Sequence, residues 1–218
     1  MASGVFITGT DTGVGKTHFS SLLVRALRSH GIDAVGVKPF CCGDRLDADQ
    51  LHAASGGVLS PAEVNPVWLR VPASPYTASL VENRPLDVAT AADTIKNLSG
   101  RHAFLVIEGV GGWRVPLTRE LCMSQFASTL GFPVVLVAAN RLGAINHTQL
   151  TLDSIRTSGA ESFGVILNQP VSSSEDTATI TNRAVLEDLL SVPILGEIAY
   201  QCTELPAAVL ERVLPLTH

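Results

Sequence analysis

The stretch that most limits how this chain can fold is ITGTDTGVGKTHFS, in which a glycine-rich loop joins an apolar run to an amphipathic one. Gly-Lys-Thr at positions 15–17 supplies the end of a phosphate-binding loop. Its opening glycine, Gly9, stands one residue earlier than the strict G-x-x-x-x-G-K-[ST] pattern requires. Gly13 and Gly15 allow backbone N–H groups to converge on an anion. The pattern predicts a buried strand, a loop that binds a nucleoside triphosphate, and a helix that begins near Lys16.

Strand-like and helix-like patterns alternate along the rest of the chain. Six apolar runs are typical of strands buried on both faces, namely GVFIT, DAVGV, AFLVIEG, PVVLVAA, FGVILN and VPILGEI. Helical spacing is found at 16–30, 145–158 and 183–190. The alternation predicts an α/β fold with a doubly wound, mostly parallel sheet flanked by helices, as in P-loop NTPases. We expect one domain over residues 1–218, with short helices and a connection in the proline-containing segment 56–100.

Composition excludes several classes of protein. Hydrophobic residues make up 46% of the chain and charged residues 16%, which is incompatible with intrinsic disorder. A net charge of −5 argues against a general nucleic-acid binder. The start resembles no secretory signal, and no apolar run reaches the roughly 18 residues of a membrane helix. We expect a cytoplasmic protein that has free thiols and no zinc site, because its four cysteines form no C-x-x-C pair.

Polar loops follow four of the predicted strands, and in such sheets ligands bind at the carboxyl ends of the strands. Lys38 leaves one strand end, where it can neutralise a phosphate or carboxylate. Glu108 leaves another, where P-loop proteins keep an acidic residue for the metal or its water. Asp44, Asp47 and Asp49 follow Lys38, and one of them could hold Mg²⁺. Charges at the start of a helix are an equally good interpretation of any one of these three.

Several motifs together carry a family resemblance. GTDTGVGKT, VKPFCCG, VIEGVGGW, RLGAINHTQLT, GVILNQ and LGEI follow one another from Gly9 to Ile198, and in this order they resemble dethiobiotin synthetase. The resemblance implies an ATP- and Mg²⁺-dependent enzyme of biotin synthesis. In that reaction CO2 adds to one amine of diaminopelargonate to give a carbamate, ATP phosphorylates the carbamate, and the second amine closes a cyclic urea. The products are dethiobiotin, ADP and phosphate.

The resemblance also implies roles for individual residues. Lys16 and Lys38 would be catalytic. The nucleotide and its metal would be bound by Thr12, Gly13, Val14, Gly15, Lys16, Thr17, His18, Glu108, Gly109, Gly111, Gly112 and Asn168. In the family the asparagine at the position of Asn168 presents its amide to adenine. The diamine would be bound by Thr12, Lys38, Cys42, Gly143, Ala144, Ile145 and Asn146, of which the last four come from the neighbouring subunit of a homodimer. The metal would be held by Thr17, Asp49 and Glu108, and Asp49 is preferred to Asp47.

One departure from the family pattern concerns Cys42, which stands where the family usually has a hydroxyl residue that contacts the substrate. A thiol is a weaker hydrogen-bond partner than a hydroxyl. The positive charge of Lys38 nearby predicts a lowered pKa for the Cys42 thiol, and hence a reactive thiol.

Two other interpretations stay open. A switch-type or partitioning P-loop ATPase would use ATP only to change partners. Such proteins carry a second lysine near Asp11, where this chain is acidic, and they lack the G-x-G-G-W loop. The alternative among enzymes is another P-loop ligase or synthase of cofactor metabolism, one that acts on a different carboxylic acid.

Overall fold

A computed structural model describes residues 3–172 and 176–217 of the chain. The strands of this part are β1 (Ser3–Gly9), β2 (Ala34–Val37), β3 (Phe40–Cys42), β4 (Val67–Leu69), β5 (Phe104–Glu108), β6 (Val134–Ala139), β7 (Ser162–Asn168) and β8 (Ile194–Ile198). The helices are α1 (Lys16–Ser29), α2 (Leu46–Ala54), α3 (Pro61–Val64), α4 (Pro75–Val81), α5 (Val88–Ser99), α6 (Met123–Leu130), α7 (Ala144–Thr157), α8 (Thr177–Leu189) and α9 (Ala207–Val213), followed by a 3-10 helix, Leu214–Thr217.

Six of these strands form one sheet in the order β2-β5-β1-β6-β7-β8. Every neighbouring pair in this sheet is parallel, so all six strands end at the same edge. Parallel neighbours need crossover connections, which the helices between the strands supply. A separate two-stranded parallel sheet pairs β3 with β4 beside the carboxyl end of β2. The predicted α/β fold with a mostly parallel sheet flanked by helices is confirmed.

Both faces of the central sheet are covered. Successive residues of a strand point to opposite faces. In β1, accordingly, Phe6 packs into one hydrophobic core, whereas Val5 and Ile7 pack into the other. Phe126 of α6 belongs to the first core, and Phe19 of α1 belongs to the second. Burial on both faces explains why these strands appear in the sequence as continuous apolar runs.

The predicted strands all occur in the sheet, and two of the three predicted helices agree with the structure to within a residue or two. The third helix, predicted from residue 183, begins six residues earlier as α8, whose first residue is Thr177. Asp176 caps α8, because its carboxylate accepts a hydrogen bond from the N–H of Thr179 at 2.8 Å. The first six residues of α8, TATITN, include only one large apolar residue, so apolar spacing alone missed this part of the helix.

The segment 56–100 contains more regular structure than the sequence predicted. It holds α3, β4, α4 and the twelve-residue α5. Helix α5 is capped by Asp87, whose carboxylate accepts from the N–H of Thr90 at 2.9 Å. In the part of the chain that the structure describes, every helix is too short or too polar to cross a bilayer.

Candidate active site

The glycine-rich loop between β1 and α1 adopts a conformation that requires its glycines. Gly13 and Gly15 have φ values of +74° and +96°, a region that side chains disfavour. A Cβ atom on Gly15 would lie 2.0 Å from Nδ2 of Asn168, which itself donates a hydrogen bond to the carbonyl of Val14 at 2.9 Å. Asn168 at the end of β7 therefore supports the loop from behind, while α1 begins at Lys16 directly after it.

Lys16 is the first of two buried lysines at this edge of the sheet. Its side chain has 6% of its surface exposed, and Nζ donates to the backbone carbonyl of Asp11 at 2.9 Å. Burial and the nearby charge of Lys38 together lower the pKa of Lys16 to about 8, although the carboxylates of Glu108, Asp47 and Asp11 oppose this shift. An anion bound in the loop would reverse this effect, because it stabilises the ammonium.

Lys38, at the end of β2, is the second buried lysine, and it lies between two carboxylates. Its Nζ is 2.5 Å from Oε1 of Glu108 and 2.7 Å from Oδ2 of Asp47. Burial by itself would lower the pKa of Lys38, but the charges and hydrogen bonds of both carboxylates outweigh burial and raise it. Oε1 of Glu108 also accepts from the hydroxyl of Thr17 at 2.7 Å. Lys38 therefore stays protonated across the neutral range.

The two aspartates of α2 lie in different positions relative to the site. Asp47 faces the site and contacts Lys38, whereas Asp49 is exposed on the helix surface and does not line the cavity. The reason is the geometry of the helix, since two residues correspond to a rotation of about 200°. Lys38 lowers the pKa of Asp47 although burial opposes it, so that the carboxylate is ionised at neutral pH. We therefore replace Asp49 with Asp47 in the candidate ligand set.

The oxygen atoms around Lys38 fit a magnesium ion. Mg²⁺ takes oxygen ligands and is usually held by one or two carboxylates together with substrate phosphates. Thr17, Asp47 and Glu108 offer one hydroxyl and two carboxylates beside the phosphate loop. Oε2 of Glu108 is buried and has no hydrogen-bond partner among the described residues, so this oxygen is available to a cation.

A cavity of about 890 Å³ opens above these groups, between the phosphate loop and the loops that follow β2, β5, β7 and β8. Most of the predicted binding residues line it, namely Thr12, Gly13, Gly15, Lys16, Thr17, His18, Lys38, Cys42, Gly111 and Asn168. It is also lined by residues that the sequence did not single out, among them Pro72, Ala73, Ser74, Pro75, Tyr200 and Gln201.

Four other predicted residues belong to the framework of the cavity and do not line it. Glu108 is fully buried beneath Lys38. Val14 packs into the core, and a Cβ on Gly109 would lie 3.1 Å from the ring of Phe6. Gly112 approaches the phosphate loop, since a Cβ there would be 3.4 Å from the carbonyl of Gly9. These four residues therefore lie behind the lining of the cavity and support the residues that line it.

Asn168 has one polar atom available to a ligand. Its Nδ2 is used by the carbonyl of Val14, while Oδ1 is buried and has no hydrogen-bond partner among the described residues. A carbonyl oxygen in the cavity can accept from the exocyclic amine of a base. This geometry is compatible with the predicted contact to adenine, and it assigns the contact to one atom of the side chain.

The predicted substrate segment at positions 143–146 lies outside the cavity of its own chain. Gly143 caps the start of α7 with φ +93°, and the preceding loop is held by Asn182, whose Nδ2 donates to the carbonyl of Arg141 at 3.0 Å. Ala144 is buried, Ile145 is half-buried and Asn146 is exposed. Within one chain these residues do not reach the site, so the predicted role needs a second chain.

The thiol of Cys42 lines the cavity, but it is not activated. Burial raises the pKa of Cys42 to about 11, and the carboxylate of Glu82 adds to this rise, whereas Lys38 opposes it only weakly. The expectation of a reactive thiol is therefore wrong, because burial and the charge of Glu82 favour the neutral thiol more than Lys38 favours the thiolate.

Comparison with known proteins gives a consistent result. The family model described as an AAA domain matches residues 3–203. The ATP-dependent dethiobiotin synthetase BioD of Akkermansia muciniphila is 45% identical over 194 residues, which are 89% of this chain and 91% of that protein. The protein of the same name from Vibrio cholerae is 37% identical over 208 residues, which are 92% of this chain and 89% of its own length.

Solved structures resemble the chain in fold alone. The septum site-determining protein MinD of Pyrococcus horikoshii, complexed with Mg-ADP, superimposes with a TM-score of 0.62 at 18% identity. The match covers 100% of this chain and 95% of MinD. The signal recognition particle receptor FtsY of Elizabethkingia anophelis gives a TM-score of 0.60 at 17% identity, covering 100% of this chain and 66% of that one.

Proposed function

The chain belongs to the family of ATP-dependent dethiobiotin synthetases, and on this premise we propose that it forms dethiobiotin from diaminopelargonate (7,8-diaminononanoate), CO2 and ATP. The observation that carries the proposal is that Lys16 and Lys38 line one cavity at the carboxyl edge of the sheet, with Glu108 paired to Lys38 directly beneath it. In this arrangement two ammonium groups face a phosphate loop, which suits phosphoryl transfer. The cavity contains no activated protein nucleophile among its described residues, and the reaction needs none.

The order of the strands suggests how the substrates lie in the cavity. The phosphate loop follows β1 in the middle of the sheet. On one side of it are the loops after β5 and β2, which carry Val110, Gly111 and Lys38. On the other side are the loops after β7 and β8, which carry Asn168 and Tyr200. We place the diamine on the β5–β2 side and the adenine on the β7–β8 side, with the phosphates between them.

The proposed reaction has three steps: carbamate formation, phosphorylation and ring closure. An amine nitrogen attacks CO2 and loses a proton, which leaves a carbamate. A carbamate oxygen then attacks the γ-phosphorus, and the bond from phosphorus to the ADP oxygen breaks. Finally, the second amine attacks the carbamoyl carbon and loses a proton, while the bond to the phosphorylated oxygen breaks and phosphate leaves. The products are the cyclic urea, ADP and phosphate.

Lys16 and Lys38 stabilise the negative charge of these steps. Lys16 contacts the transferred phosphoryl group, and its lowered pKa rises once the polyphosphate is bound. Lys38 holds the carbamate, since its ammonium is kept protonated by Glu108 and Asp47. The rate enhancement then comes from positioning and electrostatic stabilisation. Thr17, Asp47 and Glu108 would hold Mg²⁺, which would neutralise charge on the phosphates.

A homodimer completes the site in this proposal. The segment 143–146 at the start of α7 binds the carboxylate of the diamine in the neighbouring chain, because helix N-termini favour anions. Two exposed apolar side chains near this segment, Leu142 and Leu150, have 83% and 61% of their surface exposed and suit an interface. The enzyme acts on small molecules in the cytoplasm, without nucleic acid or membrane.

The switch-type ATPase is the weaker candidate. Likeness to MinD at 18% identity extends to the fold alone, whereas the relatives with 37–45% identity carry the synthetase name. The two functions are separated by measuring phosphate release from MgATP and bicarbonate, with and without the diamine, while dethiobiotin is followed by mass spectrometry. Release that depends on the diamine and matches dethiobiotin supports the synthetase. Release without the diamine, and without dethiobiotin, supports the switch.

A further inference from the structure

One wall of the cavity is an irregular segment between β4 and α4. Residues 70–74, which we call the wall segment, bring Pro72, Ala73 and Ser74 to the cavity on the same side as Cys42. The segment lies outside both sheets, so no strand partner fixes its backbone. Its internal hydrogen bond joins the N–H of Ala73 to the carbonyl of Val71 at 2.9 Å.

A single carboxylate fixes the start of the wall segment. Oε1 of Glu82 accepts hydrogen bonds from the backbone N–H groups of Arg70, at 2.5 Å, and Val71, at 3.0 Å. Glu82 directly follows α4, so its side chain reaches back across the helix and joins two positions that are twelve residues apart in the sequence. The side chain is 16% exposed, and its second oxygen lies 3.8 Å from Nη2 of Arg84.

The wall segment in turn packs against the loop that leads from Cys42 to α2. A Cβ on Gly43 would lie 2.9 Å from Cβ of Pro72, and this contact leaves no space for a side chain on Gly43. The carbonyl of Gly43 accepts from Nε1 of Trp68 at 2.8 Å, and its N–H donates to the carbonyl of Leu69 at 2.9 Å. A shift of the wall segment would therefore be transmitted to Gly43 and to Cys42, which precedes it at the end of β3.

We propose that Glu82 is a positioning residue, which fixes the wall segment against Gly43 and so shapes the diamine end of the cavity. Glu82 does not line the cavity, so it is not placed to contact a substrate bound there. It acts through two backbone N–H groups, which would otherwise have to be satisfied by water. This proposal adds a positioning residue to the synthetase function. It rests on that function only because it takes the diamine to be the ligand that contacts the wall segment.

The kinetic test compares two substitutions at Glu82. Glu82→Ala removes the acceptor, and we expect the KM for the diamine to rise about tenfold while the KM for ATP stays within about twofold. Glu82→Gln keeps an acceptor oxygen without the charge and should restore most of the diamine affinity. The proposal fails if Glu82→Ala leaves the KM for the diamine unchanged, if both KM values rise together, or if Gln is as damaging as Ala.

Glu63 offers a matched control. Its carboxylate also accepts from a backbone N–H, that of Ser60 at 2.8 Å, but it lies in α3 and does not line the cavity. We expect Glu63→Ala to lower the melting temperature without changing the KM for either substrate. A diamine KM that rises equally in Glu63→Ala would show that general loss of stability explains the result.

Hydrogen exchange provides a readout that does not depend on the reaction. In Glu82→Ala the amides of Arg70 and Val71 should exchange about tenfold faster than in the unmodified protein, whereas Glu82→Gln should retain most of the protection. Unchanged exchange in Glu82→Ala would overturn the proposal whatever the enzyme makes. If Glu82→Ala shows faster exchange but the unmodified protein forms no dethiobiotin, the role of Glu82 in holding the wall segment stands and the synthetase function is refuted.

Discussion

The ammonium of Lys38 lies 2.5 Å from Oε1 of Glu108, and the two side chains have only 3% and 0% of their surface exposed. A buried charge is costly unless it is paired, so each of these residues stabilises the charged form of the other. Asp47 contacts the same ammonium from the solvent side, with 47% of its side chain exposed. Lys38 therefore belongs to a structural ion pair and is also a candidate catalytic group.

Lys38→Met should abolish turnover and also destabilise the protein. Loss of a charge-stabilising donor costs on the order of 10²–10³ in rate. Removing one partner of a buried ion pair costs about 3–5 kcal/mol, because Glu108 is then buried without its counter-charge. Urea unfolding measures the second effect. The double variant Lys38→Met/Glu108→Gln should recover most of the stability but none of the turnover. Near-normal turnover in the single or the double variant would rule out a catalytic role for Lys38.

Lys16→Met should abolish turnover at little or no cost in stability, in contrast to Lys38→Met. The pKa of Lys16 is lowered in the folded protein, so its charge opposes folding below about pH 8. As the pH rises above 8, the folded state releases this proton before the unfolded state does, and the contribution of Lys16 to stability rises. A loss of several kcal/mol in Lys16→Met, measured by urea unfolding, would contradict the lowered pKa.

Nucleotide affinity should fall above about pH 8, because phosphate binding needs the charged form of Lys16. The phosphates are already ionised in this range, so their titration does not contribute. Titration calorimetry with MgADP should show a dissociation constant that rises about fivefold from pH 8 to pH 9, because about half of the free protein already lacks the Lys16 charge at pH 8. Lys16→Met should bind weakly, with a dissociation constant that varies little over the same range. Equal pH dependence in both proteins would assign it to another group.

Asp47→Asn and Asp49→Asn form a matched pair on α2. Asp47 contacts Lys38 and faces the cavity, so Asp47→Asn should raise the Mg²⁺ concentration needed for half-maximal turnover by about tenfold or more. Asp49 is exposed and should tolerate the change. Turnover measured against Mg²⁺ concentration decides between them. A large effect of Asp49→Asn, with none for Asp47→Asn, would restore the ligand preferred from the sequence.

Gly15→Ala should damage the protein far more than Gly131→Ala. Both glycines have positive φ values, which cost a side chain about 1–2 kcal/mol. A Cβ on Gly131 meets nothing within 4 Å, whereas one on Gly15 would collide with Asn168. Thermal unfolding and MgADP binding should therefore show a small loss of stability for Gly131→Ala, and for Gly15→Ala a larger loss together with failed binding. Normal binding by Gly15→Ala would refute the close support of the loop by Asn168.

The sequence predicted the sheet and the principal charged groups because these depend on local pattern. A lysine at the end of a buried strand, such as Lys38, can only emerge at the ligand-binding edge. The orientation of α2 was not predictable in this way. Its N-cap residue, Arg45, makes no side-chain capping hydrogen bond, and the carboxylate of Asp44, one residue earlier, accepts from the N–H of Leu46 at 3.1 Å instead. Because Asp44, Asp47 and Asp49 are each a good helix-start signal, the sequence does not single out where the helix begins. Without that start, Asp47 and Asp49 are equivalent in the sequence.

The wall segment escaped prediction for a different reason. Its position depends on Glu82, which is twelve residues from Arg70, and on the contact between Pro72 and Gly43. Such contacts leave no periodic signal in the sequence. That residues 1–218 form one domain, and that two chains share each site, both stay predictions.

The most direct test of the account follows the oxygen atoms of CO2. The enzyme is given ¹⁸O-labelled CO2, the diamine and MgATP, and the released phosphate and dethiobiotin are both analysed by mass spectrometry before the label exchanges with water. If a carbamate oxygen attacks the γ-phosphorus, that oxygen departs with the phosphate when the ring closes. One phosphate with one labelled oxygen is then released for every dethiobiotin formed. Unlabelled phosphate, or labelled phosphate without dethiobiotin, would contradict the proposed reaction.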